Sequence, residues 1–181
     1  LRHCIFTAVS IITTTGFSTE NFNEWPEMSK TLIFFLFFIG GTSGSTTGGM
    51  KIIRSLLVFR YLIYEIRKLL HPKAIFNIKI GNNIIDDNIV RATLGFYFFY
   101  IFIFIFTSIV LSSTGLDMTT ALSASASAIG NIGPALGAFG PADNWATLSN
   151  FAKWLTSFCM LLGRLEIFSV MILFTRSFWR K

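Results

Sequence analysis

The chain has 181 residues, of which 52% are hydrophobic, 21 are Phe and only 13% are charged, about half the charged share of a soluble domain. Its mean hydropathy of +0.63 excludes a disordered chain, and apolar blocks longer than a small core can use exclude a soluble domain. The net charge of +6 does not indicate nucleic acid, because eight Lys or Arg against Glu65, Asp86 and Asp87 place +5 of it between Lys51 and Arg91. That stretch lies between hydrophobic spans and reads as cytoplasmic under the positive-inside rule.

Residues 2–12 predict a short helix that stops at Thr13-Thr14-Thr15-Gly16-Phe17, where three β-branched residues precede a Gly. A polar loop runs to Ser29, acidic through Glu20, Glu24 and Glu27 and therefore outer. Lys30 to Gly40 is an eleven-residue apolar run, too short to span. It stops at GGTSGSTTGG, Gly40 to Gly49. A helix is predicted from Met50 to about Leu70, ended by His71-Pro72. The charged loop Lys73–Asp87 leads to a full span at about 88–112, within the 25 uncharged residues Ala92–Leu116. Met118–Ile129 is again too short to cross and ends in Gly130-Asn131-Ile132-Gly133-Pro134. A Gly/Ala/Pro-rich outer loop follows. Asn150–Trp179 reads as one long apolar helix interrupted by Arg164 and Glu166.

The order repeats. Short helix, Gly-containing pentad, acidic outer loop and long helix occur at 2–70 and at 118–179. The span at 88–112 precedes the second copy. A counterpart for the first would lie upstream of Leu1, so the sequence reads as a piece of something longer. Cys4 and Cys159 read as buried thiols rather than a disulfide or metal site.

Non-helical backbone inside a membrane must line a polar cavity or be buried in protein. After a half-helix, TTTGF leaves carbonyls without helical partners. Pointed at one axis, they form an oxygen cage for a dehydrated cation. Gly16 and Gly133 permit the positive φ this needs, and helix C-terminal ends favour a cation. A turn between packed helices is the plainer reading of one such pentad; two in repeat-related positions favour the cage. A phosphate loop at Gly44–Gly49 fails, because Met50 holds the Lys position and no strand precedes it. A surface loop fits poorly between apolar helices, whereas an intramembrane gate beside a pore fits both. Arg164 sits mid-span, where a charge must face protein or water, or snorkel inward. No catalytic constellation stands out, so the chain is not read as an enzyme. The Phe stripe at 96–106 is packing or lipid-facing surface.

TTTGF at 13–17, GGTSGSTTGGMK at 40–51, GNIGP at 130–134 and LLGRLEIF at 161–168 together resemble the Trk/Ktr/HKT superfamily of potassium transporters, and within it the TrkH-like membrane subunit. The resemblance covers essentially the whole chain as the last two of four repeats. It implies an all-α integral membrane fold of membrane–pore-loop–membrane repeats around a central ion pore. Residues 1–70 would be the third pore unit, 71–87 a cytoplasmic loop and 88–181 the fourth unit. Thr13, Thr14, Thr15 and Gly16, with Gly130, Asn131, Ile132 and Gly133, would form the filter, with potassium held by backbone carbonyls of Thr14, Thr15, Asn131 and Ile132. Gly40, Gly41, Gly44, Gly48 and Gly49 would form the gate loop and Arg164 would contact it. The resemblance also implies potassium uptake across a bacterial inner membrane, a homodimer and a cytosolic nucleotide-binding regulatory ring. No organic cofactor is expected in this chain; membrane lipid is an expected partner and nucleic acid is not. Two departures are visible. Ala135 follows Pro134 where many relatives have Gly, and Arg176 stands in TRSFW where Pro is usual, which suggests an unkinked helix end. A secondary transporter with discontinuous helices is the alternative.

Overall fold

The computed structural model describes residues 1–42, 44–45, 47–71, 78–80, 83–165 and 167–179. The first unit opens with α1 (Arg2–Ile12), followed by a single 3-10 turn at Phe22–Glu24 and α2 (Glu27–Leu36). Helix α2 begins earlier than the polar loop to Ser29 predicts, because Pro26 at its start presets the entry and Glu27 lies in its first turn.

The chain then forms β1 (Ile39–Gly40) and β2 (Met50–Lys51), which pair in parallel, Ile39 with Met50 and Gly40 with Lys51. Parallel pairing means that the chain leaves the Gly-rich loop in the direction in which it entered. Helix α3 (Ile52–Leu70) follows β2 directly.

The predicted inner loop carries a short antiparallel pair, β3 (Lys79–Ile80) and β4 (Asn83–Ile84). The Arg60 guanidinium donates to the Lys79 carbonyl. Pro72 and most of Lys73–Ile84 lie outside the described residues, as do Glu166, Arg180 and Lys181.

Helix α4 (Asp87–Ser113), started by the Asp86 side chain accepting the Asn88 N–H, has 27 residues, about 40 Å. Its length and composition suffice to cross a bilayer. Phe98, Phe102 and Phe106 face outward, whereas Phe96 and Tyr100 are buried. Helix α5 (Met118–Gly130) is the opposite kind of element. Its 13 residues, started by Asp117 accepting the Thr120 N–H, reach only about 20 Å. Ten of them are buried, all but Ile129 being Ala, Ser, Thr or Gly. Small side chains let neighbouring backbones approach where lipid supplies no hydrophobic drive. Three apolar clusters converge on α5: Ile11, Phe22, Phe37 and Ile132 with Ala126; Met50, Tyr100 and Cys159 with Ile129; Leu111, Phe139 and Ala152 with Ala124.

The last element is not one helix. α6 (Asn150–Arg164) and α7 (Ile167–Leu173) meet at 110°, and a turn at 174–175 separates α8 (Arg176–Trp179). The unkinked end suggested by Arg176 is therefore corrected. Phe174 and Thr175 donate to carbonyls three residues back, and the Thr175 hydroxyl takes the Ile172 carbonyl at 2.7 Å, which ends the α-helical ladder. Cys4 is also corrected: it is exposed, on a face of α1 that this chain does not cover, whereas Cys159 is buried against the Thr107 hydroxyl at 3.2 Å.

Candidate functional site

The two pentads share one backbone conformation. Thr14 (φ 54) and Asn131 (φ 55) are the non-glycine residues with positive φ among those described, and Gly16 (φ 73) and Gly133 (φ 112) follow each by two. Both pairs are separated by 117 positions. Asn tolerates the left-handed region, but a β-branched residue such as Thr14 is an outlier there and persists only where its surroundings hold it.

Serines supply that hold. At the same separation, Ser10 Oγ donates to the Phe17 carbonyl at 2.6 Å and Ser127 Oγ to the Pro134 carbonyl at 2.8 Å. The Ser10 and Ser127 carbonyls accept the Thr15 and Ile132 N–H groups at 3.0 and 3.1 Å. In the second unit the stripe extends along one face of α5. Ser123 both donates to and accepts from the Leu136 backbone at 3.0 Å, and Thr120 Oγ1 accepts the Ala138 N–H at 3.1 Å. On α1 the corresponding outer position is His3, whose ring lies 3.1 Å from Thr19 Oγ1 and 3.8 Å from Glu20. The sequence reading missed Ser10, Ser123 and Ser127. Superposing the two repeats would have found the first and last.

The pentads also touch. A Cβ on Gly16 would lie 2.2 Å from the Ile132 carbonyl oxygen. Among the described residues, no hydrogen bond reaches the carbonyls of Thr13, Thr14, Thr15, Gly16, Asn131 or Ile132. Gly133 differs, because its oxygen accepts the Trp145 indole N–H at 3.1 Å, with that ring stacked on Phe139 at 4.9 Å. The Gly133 oxygen is thus partly engaged outward, unlike the other expected ligands. Helices α1 and α5 direct their C-terminal ends, with their negative partial charge, at this region.

The Gly-rich segment packs directly beneath. A Cβ on Gly48 would lie 2.4 Å from the Gly130 carbonyl oxygen, and one on Gly130 would lie 3.2 Å from the Phe37 carbonyl. Gly40 sits in β1 against the Gly48 carbonyl, the Gly41 N–H donates to Thr47 Oγ1 at 3.0 Å, and Gly44 (φ +87) and Gly49 (φ +74) turn the chain. Arg164 ends α6 and lines a cavity of about 250 Å³ with Ser45, Thr47, Gly49, Lys51 and Arg54. The structure therefore brings Arg164 to the loop. One residue earlier, Gly163 presses on the base of the second pentad, where a Cβ would meet the Ile129 carbonyl at 1.8 Å. Asn131 Nδ2 ties that base to the Met160 carbonyl at 3.0 Å.

The TrkH cation transport protein family model matches residues 1–181. The chain belongs to this family. It is 44% identical over 181 residues to the "Trk system potassium uptake protein TrkH" of Halomonas elongata, covering all of this chain and 37% of that protein. The same-named protein of Escherichia coli K12 is 39% identical over the same span, again 37% of its length. The crystal structure of the potassium transporter TrkH from Vibrio parahaemolyticus superposes with a TM-score of 0.89 at 42% identity, covering 98% of this chain and 38% of that one. The fold is that of an α-helical integral membrane transporter, and the chain spans little more than a third of the length of these relatives.

Proposed function

We propose that residues 1–70 and 88–181 are neighbouring pore units of a potassium uptake protein of the bacterial inner membrane. Dehydrated potassium passes carbonyls of Thr13–Gly16 and Gly130–Ile132, with the principal ligands on Thr14, Thr15, Asn131 and Ile132. One observation carries the reading: two segments 117 positions apart share an unusual alternation of φ, and they meet backbone to backbone at Gly16 and Ile132. A simple helix-to-helix turn has no need of left-handed Thr14 or of carbonyls left without donors.

The loop 40–49, beneath the Gly130 carbonyl and beside Arg164, acts as the gate. Two arrangements of a Gly-rich segment differ little in energy, as a bistable element requires. A guanidinium brings five donors to carbonyls that no helix satisfies, and its charge opposes cation passage when the loop is closed. By family likeness the assembly is a homodimer over a cytosolic nucleotide-binding ring. The basic end of α3, with Arg67 and Lys68, suits the inner face.

The test is permeation by the intact transporter in planar bilayers. Single-channel currents with potassium preferred over sodium support the reading. Strictly stoichiometric ion-coupled flux, with the same selectivity after Gly16→Ser and Gly133→Ser, refutes it.

A further inference from the structure

The outer segment Leu136–Gly140 has no part in conduction as described above, yet its backbone is tightly held. Gly137 has φ +72, and a Cβ there would lie 2.1 Å from Thr120 Oγ1. A Cβ on Gly140 would lie 2.0 Å from Asn23 Nδ2. Two side chains from different units thus close on one turn.

Asn23 grips it in both directions. Its Nδ2 donates to the Gly137 carbonyl at 2.8 Å, and its Oδ1 accepts the Gly137 N–H at 3.1 Å. A carboxamide matched to the N–H and C=O of one residue acts as a ladder rung between chains. The arm that carries it is fixed. Asn21 Oδ1 accepts the Asn23 N–H at 3.2 Å, Asn21 Nδ2 donates to Glu24 at 2.8 Å, and Phe22 is buried in the cluster of Ile11, Ile132 and Leu136.

We propose that Asn23 is a positioning residue for ion discrimination: it holds the outer ends of the two filter segments at fixed spacing. The inference rests on the filter reading above. Gly16 and Ile132 meet without side chains between them, so the separation of the two backbones sets the width of the cage. Asn23 follows Gly16 by seven residues and Gly137 follows Gly133 by four. Their paired hydrogen bonds are the tie between the units nearest the outer end of the filter among the described residues. Losing that tie frees the cage to contract around the smaller sodium ion.

The experiment measures reversal potentials of the intact transporter in mixed potassium and sodium for Asn23→Ala, Asn23→Asp and Asn23→Gln. Asp keeps the size but sets an acceptor against the Gly137 carbonyl. Gln keeps both groups on a longer arm. The potassium-to-sodium permeability ratio is expected to fall several-fold for Ala and Asp and by less for Gln, in monodisperse protein. A wild-type ratio in folded Ala and Asp variants, with only thermal stability reduced, overturns the proposal. If those two do not fold, a wild-type ratio in Asn23→Gln overturns it equally. Gly16→Ser in the same assay separates the levels: if it also leaves the ratio unchanged, the filter reading itself has failed, whereas if it alone lowers the ratio, only the role of Asn23 falls.

Discussion

The Ile132 carbonyl oxygen fills the space into which a side chain on Gly16 would grow, 2.2 Å from the Cβ position. A substituent at Gly16 therefore disturbs both pentads of the proposed filter at once: its own, through a φ of +73, and its neighbour's, by pushing an expected ion ligand aside. At Gly133 the Cβ position is open, and only the φ of +112 opposes a side chain. Gly16→Ser should lower the potassium-to-sodium permeability ratio by about tenfold, in line with the roughly 1–3 kcal/mol of overpacking. Gly133→Ser should lower it less. Reversal potentials for the two variants check the order.

Gly48 meets the Gly130 carbonyl in the same way from below. Gly130 ends a helix buried at the centre of the fold, whereas the loop is held by the Gly41, Ser45 and Thr47 contacts and the short β1–β2 pair. The loop should therefore yield. Gly48→Ala is expected to raise potassium flux at low activation without changing selectivity. Flux that falls or stays level in folded protein would mark the loop as packing.

Arg164 shares its cavity with the loop residues Ser45, Thr47 and Gly49. Arg164→Ala should raise flux at low activation. Arg164→Lys should restore closure only in part, because an ammonium lacks the planar donor fork. If Arg164 simply snorkels, Lys replaces it fully and Ala lowers only the protein yield. Uptake per folded molecule distinguishes the outcomes.

Ser10 and Ser127 make the same hydrogen bond in the two units. Ser10→Ala and Ser127→Ala should each destabilise by about 1–3 kcal/mol, since each strips a donor from a partly buried carbonyl. Thermal unfolding in detergent measures this, and a loss in only one variant would break the proposed equivalence.

Asp117 starts α5 and accepts from the side chain and N–H of Thr120, which hold its carboxyl below the ordinary 3.8. The unfolded chain then binds the proton more readily. The stabilisation is complete above the unfolded value and disappears as pH falls through the lower folded one. Thermal stability should therefore drop below about pH 4, and Asp117→Asn should remove that part of the pH dependence.

Most of the architecture was legible because it rests on local rules. Apolar runs gave α1, α4 and α5, and the Gly pentads gave the ends of α1 and α5. The parallel β1–β2 closure was not legible, since nothing in GGTSGSTTGG states that the chain resumes its direction. The break after Arg164 was marked in the sequence only by the charges of Arg164 and Glu166, which an unbroken helix can also carry. Asn23 was invisible for another reason: its partner lies 114 positions away, and an Asn in a polar loop looks like a turn residue. Backbone-lined sites leave little side-chain signal, so the proposed filter was legible only through its glycines, the short helices before them, their repetition and the family resemblance.

The most direct measurement is the anomalous scattering of thallium, a potassium surrogate, in crystals of the intact transporter. The account predicts peaks within direct coordination distance of the Thr14, Thr15, Asn131 and Ile132 carbonyl oxygens, and weaker peaks in Gly16→Ser. Thallium bound elsewhere in the protein, with none between these two segments, would contradict it.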